Sequence, residues 1–273
     1  MLNAHQLKQL CEQLRLKPTK SRGQNFLLQE KSVNAMIEAL ELKNTDTVIE
    51  IGPGFGALTE ALTRRAGTVI TLELEQVFAD YIQSHWPNVR VEHGDAVHTL
   101  SKVVETLPPG LPYKLAGNIP YNITGVLLEK AFTVQHKPEC MAFMVQKEVG
   151  ARIMAQPPRM NFLSVFAQYY STPSVIARVP RGHFWPAPQV DSVMVLFSMH
   201  ARQEPPAAQE LFLKLVNTGF QHPRKTLKNN LTEVYERDKN TIEACIISAG
   251  LKPAARPAEV SVTQWEEICL CLK

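Results

Sequence analysis

The sequence lacks the features that define several classes of protein. Its 273 residues include only 5 cysteines, with no C-x-x-C pair and no histidines at metal-ligand spacing, so no metal site is predicted. No apolar run has the length of a signal peptide or a bilayer span. These absences predict a cytoplasmic protein with reduced thiols. The cysteines are Cys11, Cys140, Cys245, Cys269 and Cys271.

Net charge is also low. A formal charge of +3 permits a polyanionic partner such as RNA but does not indicate one. Hydrophobic residues make up 45% of the chain, which excludes intrinsic disorder. The length is sufficient for one large α/β domain with a small appendage.

What is present, first, is an alternation of strand and helix patterns. A helix pattern at 31–40 precedes the first strand, and further helix patterns lie at 57–65, 77–85, 123–133 and 149–154. Buried-strand patterns lie at 47–51, 68–72, 89–93, 113–117 and 141–145. Repeated βα units predict an α/β fold: a Rossmann-like, mainly parallel sheet with helices on both faces.

The second half of the chain departs from this alternation. Segments 174–179 and 192–199 are β-prone and are joined by a loop rich in proline and aromatic residues, which predicts an antiparallel pair at the sheet edge. A linker-like run follows at 203–209, and helical patterns then continue to the C-terminus. We therefore predict a catalytic domain at 1–202 and a small C-terminal helical domain at 203–273.

A glycine-rich turn after the first predicted strand indicates a cofactor site. Gly52, Gly54 and Gly56 let the backbone approach a ligand closely, although Gly52 and Gly54 with Ala57 also fit the relaxed dinucleotide fingerprint of NAD proteins. Glu50 lies just before them, where a carboxylate would repel a pyrophosphate but suits a ligand with an ammonium and a sulfonium group. The charge pattern therefore favours S-adenosylmethionine over NAD.

Two more carboxylates end predicted strands at the same edge of the sheet. Glu73 is placed to accept the ribose hydroxyls of either cofactor, and Asp95 is placed to accept a hydrogen bond from the adenine amino group. Each has an ordinary alternative, because acidic residues are common at strand ends and helix caps. Their joint position after successive strands favours a cofactor role.

The tetrapeptide N-I-P-Y at 118–121 follows the fourth predicted strand and indicates the chemistry. The amino nitrogen of adenine is a poor nucleophile, so a site must accept its hydrogens and direct its lone pair. The side-chain carbonyl of Asn118 and a main-chain carbonyl restrained by Pro120 can do this, while Tyr121 stacks on the base. The alternative is a proline turn that caps the next helix.

Together, these motifs resemble those of the ribosomal RNA adenine dimethyltransferase family. The matching segments are 24–27, 50–56, 118–121, 184–192 and 221–231. The resemblance implies dimethylation of two adjacent adenosines near the 3′ end of 16S rRNA in an immature small ribosomal subunit, with S-adenosylmethionine as cofactor. We expect the enzyme to be a monomer.

The resemblance also implies roles for particular residues. Asn25 and Leu27 would contact the cofactor, within an N-terminal cofactor- and RNA-contacting segment at 1–27, and Phe184 would face Tyr121 across the target base. The other implied cofactor contacts are Gly52, Glu73, Asp95 and Asn118. The helical domain would position RNA. The predicted RNA contacts are Arg22, Arg224, Lys225 and Lys228.

Two departures from the family pattern reduce positive charge. Gln189 stands where the family usually has lysine, and His222 and Pro223 interrupt a run that is usually more basic. We therefore expect weaker or differently placed phosphate contacts. Two other functions stay open: a non-catalytic ribosome-assembly or transcription factor on the same fold, and a DNA adenine methyltransferase.

Overall fold

The computed structural model describes residues 1–18, 23–202, 205–233 and 238–273. The chain forms two compact units, the first containing Met1–Gly150 and Pro173–Met199, the second Ala151–Thr172 and His200–Lys273. Within the described ranges, no helix is long and apolar enough to cross a membrane.

Most strands belong to one large sheet. The strands are β1 (Phe26–Leu27), β2 (Thr47–Ile51), β3 (Thr68–Glu73), β4 (Arg90–His93), β5 (Tyr113–Asn118), β6 (Cys140–Gln146), β7 (Ser171–Val179), β8 (Phe184–Trp185) and β9 (Ser192–Met199). Seven of them form a sheet in the order β4-β3-β2-β5-β6-β9-β7. The pairs among β2 to β6 are parallel, and β9 runs antiparallel to β6.

Helices connect and flank these strands. They are α1 (Ala4–Gln13), α2 (Glu30–Ala39), α3 (Ala57–Thr63), α4 (Gln76–His85), α5 (Ala96–Glu105), α6 (Thr124–Thr133), α7 (Lys147–Ile153), α8 (Phe162–Tyr170), α9 (Pro206–Phe220), α10 (Leu227–Thr232), α11 (Lys239–Ser248) and α12 (Val262–Cys271). The predicted Rossmann-like sheet with flanking helices and a C-terminal helical region is confirmed.

The central strand β2 explains why the sheet forms and where ligands can bind. Every residue of its sequence TVIEI is buried, because β3 and β5 cover both edges and helices cover the faces. Since β2, β3, β5 and β6 are parallel, their carboxyl ends meet at one edge of the sheet. That edge is where open α/β sheets bind ligands.

The two strands predicted at the edge of the sheet are neighbours there. β7 lies at the edge of the sheet with β9 as its neighbour, and β9 continues the sheet from β6. β1 and β8 form a separate two-stranded antiparallel sheet, which the sequence did not predict. This small sheet joins the Phe26–Leu27 segment to the loop before β9.

The residues of the second unit differ from those of the predicted helical domain at 203–273. This unit also contains residues 151–172, because α8 packs with the C-terminal helices. The ring of Tyr169 in α8 stacks on Phe212 in α9 with a centroid distance of 3.9 Å, and the Arg202 guanidinium lies 3.6 Å above the Tyr169 ring. These aromatic contacts make α8 part of the helical core.

The expectation that all the thiols are reduced is wrong for two of them. Cys245 in α11 and Cys271 at the end of α12 form a disulfide with a Cα–Cα distance of 5.7 Å. The packing of α11 against α12 brings together two residues that are 26 apart in sequence, within the range a disulfide requires. Cys11, Cys140 and Cys269 are free.

Candidate functional site

The glycine turn between β2 and α3 adopts a backbone that favours glycine. Gly52, Gly54 and Gly56 have φ angles of +69°, +53° and +78°. A Cβ on Gly54 would lie 3.1 Å from the Phe26 ring, so this ring packs closely against the turn. The loop therefore presents backbone atoms at the ligand-binding edge of the sheet.

A cavity of about 370 Å³ opens beside this turn. Most of the predicted cofactor and catalytic residues line it: Asn25, Leu27, Glu50, Gly52, Gly54, Gly56, Glu73, Asn118 and Pro120. Three predicted residues, Asp95, Tyr121 and Phe184, lie outside this lining. The site is thus assembled from four segments that are far apart in sequence.

Glu73 ends β3 and faces the glycine turn. Its Oε2 accepts a hydrogen bond from the Gly54 backbone N–H at 3.2 Å, and its Oε1 accepts one from the Glu75 N–H at 2.9 Å. Burial raises the pKa of Glu73, although these two backbone donors oppose the shift. Each carboxylate oxygen can accept a further hydrogen bond, so the group retains capacity for ribose hydroxyls.

Glu50 is more deeply buried than the sequence suggested, at 1% exposure. Burial raises its pKa to about 8, with a 2.6 Å hydrogen bond from the Thr59 hydroxyl opposing the shift and the Glu73 carboxyl adding to it. The carboxyl group is therefore mostly protonated at neutral pH when no cation is beside it. The charge argument for the cofactor holds only where a bound cation restores its ionised form.

Asn118 has a fixed side-chain orientation. Its Nδ2 donates a hydrogen bond to the backbone oxygen of Asn25 at 2.7 Å, and the Asn25 side chain in turn donates to Gly23 O at 3.0 Å. Among the described residues, none donates to Oδ1 of Asn118. The amide carbonyl is left as an acceptor beside the cavity.

Tyr121, three residues after Asn118, is half-buried. Its hydroxyl lies 2.6 Å from Oγ of Ser192, the first residue of β9. Burial raises the pKa of Tyr121, and the hydrogen bond with Ser192 opposes the shift. The hydroxyl is therefore neutral and the aromatic ring is held from its tip. Ser192 was not among the predicted site residues.

Asp95 is the N-cap of α5. Its Oδ1 accepts a hydrogen bond from the Val97 N–H at 2.9 Å. The preceding residue, Gly94, donates its N–H to Glu73 O at 2.8 Å, so Asp95 lies close to the cofactor edge without lining the cavity. The helix-cap interpretation is thus satisfied, and any contact with adenine would be additional to it.

Phe184 is in a different environment from the one expected. It is 3% exposed and belongs to a core cluster with Leu27 and Met36. Its backbone pairs with Leu27 in the small β1–β8 sheet. The ring is therefore not open to a base in this conformation, because the cofactor segment and the core cover it.

The predicted RNA contacts differ in their availability. Lys225 pairs with Glu233 at 2.6 Å and Lys228 with Glu243 at 2.7 Å. Arg224 is exposed, and within the described ranges it has no ion pair. Arg22 lies outside the described residues. The two ion pairs reduce the positive charge that this stretch offers to phosphate.

Several aromatic residues that line the cavity were not predicted from the sequence. Phe26, Phe55 and Phe78 form a ring cluster with centroid distances of 4.8 to 5.6 Å, and Tyr81 and Trp86 complete the aromatic part of the cavity lining. Phe26 and Phe55 lie inside the motif segments 24–27 and 50–56, so a local signal existed. The α4 residues had no such signal beyond an apolar helix face.

The chain is similar to proteins of known family over nearly its whole length. The family model described as ribosomal RNA adenine dimethylase matches residues 15–273. A protein of Dehalococcoides mccartyi named ribosomal RNA small subunit methyltransferase A is 39% identical, with 97% of this chain and 92% of the relative covered. A protein of the same name from Moorella thermoacetica is 36% identical, with 94% and 93% covered.

Solved structures agree with this assignment. The 23S rRNA methyltransferase ErmE is 26% identical with a TM-score of 0.71, covering 91% of this chain and 99% of that one. A dimethyladenosine transferase from Plasmodium falciparum shares the fold, with 21% identity, a TM-score of 0.73 and coverage of 89% and 95%. The chain belongs to the ribosomal RNA adenine dimethylase family.

Proposed function

We propose that this protein transfers methyl groups from S-adenosylmethionine to the N6 amino groups of two adjacent adenosines near the 3′ end of 16S rRNA. Its substrate is the immature small ribosomal subunit in the cytoplasm. Support comes from the family match and from relatives named for the small-subunit RNA. The orientation of the Asn118 side chain carries the chemical part of the proposal.

The residues around the cavity fit the proposed cofactor. Glu73 has lone pairs for ribose hydroxyls, the glycine turn permits close backbone approach, and the aromatic lining suits an adenine ring. Glu50 can balance a positive charge once it ionises. S-adenosylmethionine supplies an electrophilic methyl group when it is bound.

The chain's own contribution is to orient the amine. Because Nδ2 of Asn118 is occupied by Asn25 O at 2.7 Å, Oδ1 is directed to accept an amino hydrogen. A backbone carbonyl beside Pro120 accepts the second, so the nitrogen lone pair points out of the ring plane. No strong base is required, because the proton can leave once the nitrogen has become cationic.

Base and RNA contacts complete the proposal. Tyr121 stacks on the flipped adenine, a contact worth about 1 to 3 kcal/mol. Phe184 reaches the base only if the loop before β9 opens, since its ring is buried here. Exposed Arg224 contacts phosphate directly, and Lys225 and Lys228 do so after exchanging their carboxylate partners.

Asn118→Ala tests the amine-orienting role. We expect single-turnover methyl transfer to slow about a hundredfold, because the reacting nitrogen loses an acceptor that positions it. Cofactor affinity should change by less than about tenfold, because the substitution removes one hydrogen bond, the one that Asn118 donates to the backbone of Asn25. Asn88→Ala, at an exposed turn position, is the control. An unchanged transfer rate in Asn118→Ala would refute the role.

The substrate is tested by offering three nucleic acids with labelled cofactor. Unmodified small subunits, naked 16S rRNA and duplex DNA are compared, and the modified adenosines are identified by mass. We expect label in the unmodified small subunits, as dimethyladenosine at adjacent positions, and less label in naked 16S rRNA. Label confined to DNA, or no label in any sample, would overturn the proposal.

A further inference from the structure

The hydroxyl group of Tyr121 contacts Ser192, a residue with no assigned function. Tyr121 Oη and Ser192 Oγ are 2.6 Å apart, and Ser192 is 1% exposed. We propose that Ser192 is a positioning residue whose hydroxyl holds the Tyr121 ring at the place that receives the target adenine. This inference rests on the proposed function and concerns the same site.

Ser192 is itself held from two sides through its neighbour Asp191. The Asp191 backbone oxygen accepts the Lys147 N–H at 3.0 Å, where β6 ends. Its Oδ1 accepts the Arg181 N–H at 2.9 Å, just after β7. Ser192 also faces Gln146 in the register of β9 with β6. These contacts fix the backbone that carries the Ser192 side chain, and the serine is 1% exposed.

The other end of Tyr121 is also restrained. A Cβ added to Gly23 would lie 3.0 Å from Tyr121 N and 3.1 Å from Pro120 Cα, so the segment at 23–25 packs closely on the tyrosine backbone. The backbone and the phenol tip are then both fixed. Because Oη lies on the axis about which χ2 rotates, restraint at both ends sets χ1 and the direction of the ring axis, and thereby the place of the ring.

The chemistry of this pair suits orientation and not proton transfer. Burial raises the pKa of Tyr121, so the phenol stays neutral at physiological pH, and a serine hydroxyl does not ionise there. Both groups can donate or accept. Removing either one therefore frees the ring without creating or deleting a charge, and the loss should appear in the rate of transfer and not in cofactor binding.

A double-mutant cycle tests the pair. Ser192→Ala and Tyr121→Phe should each slow single-turnover transfer to RNA by about five- to tenfold, the worth of one buried hydrogen bond. The double variant should be no slower than the slower single variant, because both remove the same contact. Ser192→Thr, which keeps the hydroxyl, should recover most of the rate. Cofactor Kd should stay unchanged throughout.

The control is another buried serine hydroxyl. Ser171 is 1% exposed and donates to Ala167 O at 2.8 Å, so Ser171→Ala measures the effect of deleting such a group away from Tyr121. Its transfer rate should match the wild type. Additive effects of Ser192→Ala and Tyr121→Phe, or equal slowing in Ser171→Ala, would overturn the inference.

Binding of a short single-stranded RNA with adjacent adenosines is measured on the same variants, because it needs no methyl transfer. Non-additive weakening in the Ser192 and Tyr121 variants supports the positioning role. Equal RNA Kd in all variants, together with equal rates, contradicts it. A wild-type protein that transfers no methyl group to RNA would instead overturn the proposed function, and the RNA Kd cycle would still decide the role of Ser192.

Discussion

Gly56 is the residue of the cofactor turn at which the structure tolerates change least. Its φ is +78°, and a Cβ there would lie 2.3 Å from the Trp86 ring, which lines the cavity. An alanine must therefore adopt a left-handed backbone and also displace a large side chain. Both costs fall on a turn that the proposed cofactor must approach.

Gly56→Ala should destabilise the protein by about 3 kcal/mol, the sum of backbone strain and overpacking. Gly110→Ala is the matched control, because Gly110 has a φ of +76° with nothing within 4 Å of its Cβ, and it should cost only about 1 kcal/mol. Urea unfolding gives both values. Equal losses of stability in the two variants would show that the Trp86 ring moves aside without an energetic cost.

At this scale the sequence predicted the local motifs and missed the tertiary partners. The glycine turn, Glu73 and Asn118 could be read because each lies in a short pattern at a strand end. Ser192 as the partner of Tyr121 could not, because 71 residues separate them and only the tertiary fold brings them together. The burial of Glu50 likewise depends on packing.

Among the elements, strands were predicted better than helices. β2 and β9 have the predicted bounds, because their apolar runs end in clear turn signals. α8 was missed because FLSVFAQYY is a short run of mostly apolar and aromatic residues, which sequence alone does not distinguish from a buried strand. β1 was missed because a two-residue strand exists only through its pairing with β8.

α5 offers a test that separates a structural from a functional role. Asp95 caps this helix, so Asp95→Ala should cost about 1 kcal/mol of stability, while Asp95→Ser should keep the cap and most of the stability. If Asp95 also contacts the cofactor adenine, both variants should bind S-adenosylmethionine more weakly. Urea unfolding and calorimetric titration give the two quantities.

The outcome that separates the roles is the behaviour of Asp95→Ser. Wild-type cofactor affinity in this variant would restrict Asp95 to capping. Weakened affinity at wild-type stability would place the carboxylate at the cofactor, as the position of Gly94 beside Glu73 allows.

At the scale of the whole molecule, the buried carboxyl group of Glu50 links stability to pH. Glu50 has a pKa of about 8 in the folded chain, compared with its ordinary value of 4.5. Between these two values the unfolded chain has released the proton and the folded chain keeps it. The free energy of unfolding therefore falls as pH rises, and the contribution is fully present only below the unfolded pKa.

Glu50→Gln removes this titration and keeps the side-chain shape and an oxygen acceptor for the Thr59 hydroxyl. The stability of the wild type relative to this variant should fall by about 1 kcal/mol per pH unit between about pH 5.5 and pH 7. Subtracting the two urea-unfolding series cancels the titrating groups that do not interact with Glu50; Glu73 is the exception, because its carboxyl contributes to the raised pKa of Glu50. A stability difference that stays constant with pH would mean that Glu50 is already ionised in the folded, ligand-free protein. Its carboxylate would then favour a cationic cofactor before any ligand binds.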